Sequence, residues 1–252
     1  MFFSALRSLV AAAFLVVSIP AIAQSSLPRA EIEGIVKDYL LKNPEVLRDA
    51  LIELERRGKA EEDAARARAV GELAPKIFNS SRQVVVGNPA GKIELVEFFD
   101  YNCGYCKQAL PDLQRLMKEQ PDLRVVLKDF PVLGPGSVDA AQVAIALRNQ
   151  LKGEKYAAFH GKLLATRGQI AKATALAAAR EAGADMDRLN KDLTGPEIIA
   201  SLQEVARLAD SLNLTGTPTY IVGNEVVVGA VGYAQLKSRL DNMRKCGKAT
   251  CG

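Results

Sequence analysis

A run rich in β-branched and aromatic residues, Ile93 to Phe99, leads directly into Asp-Tyr-Asn-Cys103-Gly-Tyr-Cys106-Lys, and Leu110, Leu113, Leu116 and Met117 then continue at helical spacing. A buried strand that feeds a helix puts Cys103 and Cys106 at the helix start. Leu123 to Phe130 supplies the next strand, so strand, helix and strand read as a parallel βαβ unit. Whatever fold the chain adopts must therefore carry two thiols, one helical turn apart, just where a buried strand ends.

With 252 residues, 48% of them hydrophobic, the chain can bury a full core, in one domain with a large insertion or in two small ones. Residues 1–23 have the pattern of a cleaved secretory signal: Arg7 as the positive start, an apolar run from Leu9 to Ile22, and Ala21-Ile22-Ala23 as the small-x-small cleavage site. The mature chain is then expected to begin at Gln24. Pro20 and an apolar run shorter than the roughly 20 residues of a spanning helix argue against an uncleaved anchor. The formal charge of +4 falls to +3 after cleavage, with 32 basic side chains facing 29 acidic ones. Such a balance implies no nucleic-acid partner. Export implies a periplasmic, oxidising setting, and the four cysteines of the chain fall into two close pairs, Cys103 with Cys106 and Cys246 with Cys251.

Before the cysteine segment lies a helical arm, residues 24–82. Ile32, Ile35, Val36, Tyr39 and Leu40 are at helical spacing, and Asn43-Pro44 reads as an N-cap followed by proline at the first helical position. The second helix carries Val46, Leu47, Ala50, Leu51 and Leu54 on one face, with Gly58 as a stop or hinge. Lys59 to Ala74 reads as a solvated helix ending near Pro75. Such an arm cannot bury its own apolar faces, so it must pack on the main domain or on other copies of itself.

The main domain is expected over residues 83–252. Val84 to Val86 is a short strand, and Gly87-Asn88-Pro89-Ala90-Gly91 is turn chemistry. Residues 134–212 read as an inserted helical subdomain, with alanine-rich segments at Ala140–Asn149 and Lys172–Ala182 and a further helix from Pro196 to Leu212. Thr219–Val222 and Glu225–Val228 flank the hairpin signal Gly223-Asn224, and a terminal helix runs from Tyr233 towards Lys245. The fold class is α/β, with a mixed sheet and no internal repeat.

A Cys-x-x-Cys pair can be half a zinc site, but no second pair or histidine cluster with ligand spacing accompanies it, and His160 is the one histidine. Its place between strand and helix matches a redox motif instead. Amides at the helix N-terminus favour a thiolate on Cys103, while Cys106, one turn inside, can attack a mixed disulfide formed at Cys103.

Beyond that motif, residues 83–252 resemble the DsbA family of thioredoxin-fold proteins with a helical insertion. The resemblance implies a thioredoxin fold, thiol-disulfide exchange and no cofactor or bound metal. Thr217-Pro218, after Gly216 and before the strand at Thr219, looks like the family's cis-proline loop, which faces the cysteines and binds substrate backbone. Glu97, six residues before Cys103, resembles the family's buried acid beneath the active site, and Lys128 resembles its basic neighbour. Gly104-Tyr105 departs from the Pro-His of DsbA itself and resembles the pair in the isomerase DsbC. Without a histidine between the cysteines, one source of thiolate stabilisation is gone, which implies an oxidant weaker than DsbA.

The run Ile-Val-Lys-Asp-Tyr-Leu-Leu-Lys-Asn-Pro-Glu-Val-Leu, ending at Leu47, resembles the amino-terminal segment of the suppressor-of-copper-sensitivity protein C (ScsC) group and related DsbA-like surface proteins. That resemblance implies a homo-oligomer, in some members a trimer. Exported proteins with cysteines, and a membrane redox partner that reduces or oxidises the Cys pair, are the partners it implies. Three functions stay open on the sequence: an exported exchanger acting as oligomeric isomerase or as DsbA-type oxidase, a Cu(I)-handling protein using reduced Cys103 and Cys106, and a surface scaffold with incidental cysteines. Cys246 and Cys251 read as a small disulfide loop, with a metal-binding tail or second redox pair as the alternatives, and His160 as a helix-packing or surface residue without a catalytic role.

Overall fold

The computed structural model describes residues 27–251, so the expected signal segment, residues 1–23, and the start at Gln24 lie outside the described residues. By its contacts the chain divides into two units, Met1–Glu55 and Arg56–Gly252.

In the first unit, α1 (Arg29–Lys42) leads directly into the opening turns of α2 (Pro44–Phe78). Asn43 serves both helices. Its backbone N–H and its side-chain amide both donate to Tyr39 O, closing α1, and its own carbonyl accepts from Val46 N. No residue of α1 is buried. Ile32, Ile35, Val36, Tyr39, Leu47, Leu51 and Leu54 are all exposed, which leaves the apolar faces read from the sequence uncovered in the single chain.

Helix α2 runs on through Gly58 and Pro75 to Phe78, where a hinge and an earlier stop were expected. Pro75 has no N–H for the Gly71 carbonyl, a local loss that the burial of apolar side chains on either side of it outweighs. Val70, Ile77 and Phe78 are buried with Val96, Phe98, Val126 and Ile221 of the sheet. The final part of α2 is thus core of the second unit rather than arm.

The second unit is built on a five-stranded sheet in the order β1-β3-β2-β4-β5. Its strands are β1 (Val84–Gly87), β2 (Ile93–Phe99), β3 (Leu123–Asp129), β4 (Thr219–Val222) and β5 (Glu225–Val228). Strands β2 and β3 are parallel, joined through α3 (Gly104–Glu119), and the other pairs are antiparallel. Between β3 and β4 come α4 (Pro135–Leu147), α5 (Gly153–Ala165), α6 (Lys172–Glu181), α7 (Met186–Leu193) and α8 (Pro196–Ser211), and α9 (Tyr233–Cys246) closes the chain.

The alternation of β2 sets the two faces. Leu95 and Phe99 join one core with α3, α4, α5 and α9, while Val96 and Phe98 join the other with α2 and α8. Among the described residues, no helix is long and apolar enough to cross a membrane.

Candidate active site

Strand β2 ends at Phe99, and the next four residues turn the chain into α3 with Cys103 as its N-cap. Asp100 makes that turn. Its buried carboxyl accepts from Asn102 N at 2.7 Å, and from Val132 N and Leu133 N at 2.8 and 3.0 Å, while its carbonyl accepts from Cys103 N. Asn102 ties the same turn to the helical insertion, accepting from Ile170 N at 2.6 Å and donating to Ile170 O at 2.9 Å. Gly136 permits this close approach, because a Cβ there would stand 2.7 Å from Ile170 O. Neither Asp100 nor Asn102 was singled out from the sequence. Short polar side chains immediately before a motif at a strand end were the available sign.

Cys103 and Cys106 are both free thiols. Cys106 is fully buried inside α3, whereas Cys103 keeps 5% of its surface, and Tyr105 between them is largely exposed. The Thr217-Pro218 peptide is cis, and its loop faces the pair: Cys103 Sγ donates to Thr217 O at 3.1 Å. The Cys103 sulfur thus has a backbone carbonyl beside it, and the second, buried thiol lies one turn further along α3. Burial, and after it the charge of Glu97, pushes the Cys106 thiol up, so this thiol holds its proton until a neighbour removes it.

Glu97 lies on β2 in the same core face and is 2% exposed. Burial raises its carboxyl from 4.5 to about 8, with the Tyr220 hydroxyl acting in the opposite sense. Lys128 does not join it. The parallel register sets Glu97 opposite Leu127 and Phe98 opposite Lys128, so the lysine points to the other face. There its ammonium donates to Lys76 O and Gln83 Oε1, both at 2.8 Å, tying down the last turn of α2. The expected Glu97–Lys128 neighbourhood is thereby corrected, and the register is the reason.

His160 is buried behind the site, with its Nδ1 3.2 Å from the Tyr101 hydroxyl and its ring edge-on to Phe99. Burial lowers it to about 3, which keeps it neutral, a packing residue as expected. Cys246 and Cys251 are joined in a disulfide, and Ala249 inside that loop is buried in the main core. Among the described residues there is no group of three or more His, Cys, Asp or Glu side chains able to hold a metal ion.

The raised Glu97 carboxyl carries a stability consequence. Its folded-state value lies above the unfolded one, so its contribution is fully present below pH 4.5 and is lost as the pH rises through about 8. The reduced protein is expected to lose a few kcal/mol, to order of magnitude, between pH 5 and 8. Glu97→Gln should remove most of that slope in urea melts. Asp129, raised to about 7 by burial, supplies the remainder with the same sign. His160 works in the opposite sense, since the stability linked to its neutral form is lost only as the pH falls from 6.5 towards 3. A slope unchanged by Glu97→Gln would overturn the assignment.

Residues 94–241 match the DSBA-like thioredoxin domain. The chain belongs to the DsbA-like thioredoxin family. Residues 29–61 match the copper resistance protein ScsC N-terminal domain, so the arm as well as the cysteine segment carries the resemblance drawn from the sequence. A thioredoxin-like oxidoreductase from Silicibacter pomeroyi is 39% identical with a TM-score of 0.64, over 68% of this chain and 98% of that one. Proteus mirabilis ScsC, in a linker-deleted mutant form, is 25% identical with a TM-score of 0.67, over 88% of this chain and 99% of the other. Thiol:disulfide interchange protein DsbA of Bordetella pertussis is 26% identical over 56% of this chain and 68% of its own length. The chain spans only 25% and 22% of the first curated relatives it matches, two Salinispora proteins named as Na(+)/H(+) antiporters.

Proposed function

We propose that this protein is an exported thiol-disulfide oxidoreductase that works in the periplasm as an oligomeric disulfide isomerase on other proteins with cysteines. The observation that carries the exchange chemistry is the juxtaposition of Cys103 Sγ with Thr217 O, with the buried Cys106 thiol one turn behind. Cys103, as thiolate, attacks a substrate disulfide. A Cys103–substrate S–S bond forms, the substrate's S–S bond breaks, and the released substrate thiolate takes a proton from solvent. In isomerisation a second substrate thiolate attacks the mixed disulfide and frees Cys103 reduced. When that attack fails, Glu97 accepts the Cys106 proton and Cys106 attacks Cys103 Sγ. The Cys103–Cys106 bond then forms, the substrate leaves with two electrons gained, and a membrane redox partner must reduce the pair again.

Isomerase work is favoured by the exposed apolar faces of α1 and early α2, which suit a homo-oligomer, a trimer by resemblance to ScsC. The test is refolding of a scrambled disulfide protein by the reduced enzyme, paired with a redox titration of Cys103 and Cys106. Refolding without added oxidant is the expected result. Activity only towards fully reduced substrates would make the protein a DsbA-type oxidase. A second reading, Cu(I) held by the reduced pair, is favoured by the match of residues 29–61 to a copper resistance protein's domain and by the softness of two thiolates. Stoichiometric Cu(I) retention that disappears in Cys103→Ser would establish it.

A further inference from the structure

With Lys128 turned to the far face, a polar group that faces Glu97 comes from another strand. Strand β4 is antiparallel to β2, and its register sets Tyr220 directly opposite Glu97. Directly opposed residues share a face, and Tyr220 and Cys106 lie in the same buried core cluster. Tyr220 has no exposed surface. Its hydroxyl and Glu97 Oε2 are both buried without a hydrogen bond of ordinary length and angle to any group. A phenylalanine would fill the same space without burying an unsatisfied hydroxyl, so the hydroxyl calls for a partner that forms during the reaction. An ionised Glu97 is such a partner, because a phenol donates to a carboxylate far more strongly than to a neutral acid.

We infer that Tyr220 is a positioning residue for the proton that Cys106 must lose, its hydroxyl turning onto the Glu97 carboxylate and holding that group ready as base. The inference rests on the exchange reading above and concerns only the resolving step. When Glu97 takes the Cys106 proton, it becomes neutral and the Tyr220 contact relaxes to the arrangement seen here. The other groups around Glu97 do not substitute. Tyr101 is engaged with His160 Nδ1, Asp112 accepts from Tyr233 N, and Cys103 and Cys106 are the reacting thiols. From β3 the register offers Leu127, and α9 sends Leu236 and Leu240 into this core. The direction of the Tyr220 contribution, which lowers the Glu97 carboxyl against the larger effect of burial, agrees with this role.

The experiment uses the full protein carrying a mixed disulfide between Cys103 and a chromophoric thiol, and monitors release of that thiol as Cys106 attacks, from pH 5 to about 10.5, beyond both expected midpoints. In the wild type the rate should rise with ionisation of Glu97. In Tyr220→Phe the midpoint should move up by about one pH unit, with the rate at pH 7 falling about tenfold and the high-pH plateau kept. Tyr220→Met, which also lacks the hydroxyl, should shift alike, so that a folding defect peculiar to one variant does not decide the matter. In a Glu97→Gln background Tyr220→Phe should add nothing. Superimposable profiles, a uniform slowing at all pH values, or a shift that persists without Glu97 would overturn the inference. A wild-type protein that releases no thiol would instead overturn the exchange reading itself.

Discussion

Cys106→Ser is expected to accumulate mixed disulfides with exported proteins, and Cys103→Ser none. Cys103 stands at the N-cap of α3 beside Thr217 O, whereas Cys106 has no exposed surface. An incoming disulfide can therefore meet only the first sulfur. Once it has, the second thiol, one turn away, attacks within the molecule at an effective concentration far above that of any external thiol. Its removal should lengthen the life of the mixed species by on the order of a hundredfold or more. Non-reducing gels of cells expressing each variant, with the adducts collapsing on reduction, provide the measurement. Equal trapping by both variants would reverse or abolish the roles assigned to the two sulfurs.

How much of this was legible in the sequence differs from residue to residue. Cys103 and Cys106 declared themselves because a strand-to-helix junction is local, and its chemistry depends on neighbours in the chain. Thr217-Pro218 was found by resemblance alone, since nothing within ten residues of it points at a cysteine more than a hundred positions away. Lys128 shows the opposite case. Both it and Glu97 were rightly placed on strands, but which face each occupies depends on a register that neither strand encodes by itself. Tyr220 escaped for the same reason, being placed opposite Glu97 only by the pairing of β2 with β4. Asp100 and Asn102 look like ordinary turn residues until the segment after β3 presents Val132 and Leu133, and the insertion presents Ile170, to them. The arm was legible as amphipathic helix, yet its end was not. Val70, Leu73, Ala74 and Ile77 do fall at i, i+3, i+4 and i+7, but they lie between charged turns and Pro75, which read as a solvated end rather than as a core-facing stripe.

That boundary governs the second large effect: removing residues 28–55 is expected to convert an oligomer into a folded, redox-active monomer. Both hydrophobic cores of the second unit draw only on residues from Ala69 onwards, so the truncated chain keeps all of them. Extending the deletion to residue 78 is a different experiment. It strips Val70, Ile77 and Phe78 from one core and leaves Lys128 without the Lys76 carbonyl, so it should cost several kcal/mol of stability. The shorter deletion removes only faces such as Ile32, Ile35, Val36, Leu47 and Leu51, which are exposed in the single chain. At about 25 cal/mol per Å² of apolar surface removed from water, association of several arms would offset their ordering entropy. Leu47→Glu in the full chain should act like the deletion, because a charge on that face opposes association without shortening the helix. Light scattering at matched concentrations reads the mass. The expected functional consequence is geometric, since several Cys103 sites on one assembly would engage one scrambled client repeatedly at high effective concentration. The monomer should therefore lose isomerase activity several-fold while its exchange with a small disulfide stays unchanged. A monomeric full-length protein would refute the role of the arm, and equal isomerase activity in both forms would refute the coupling of assembly to function.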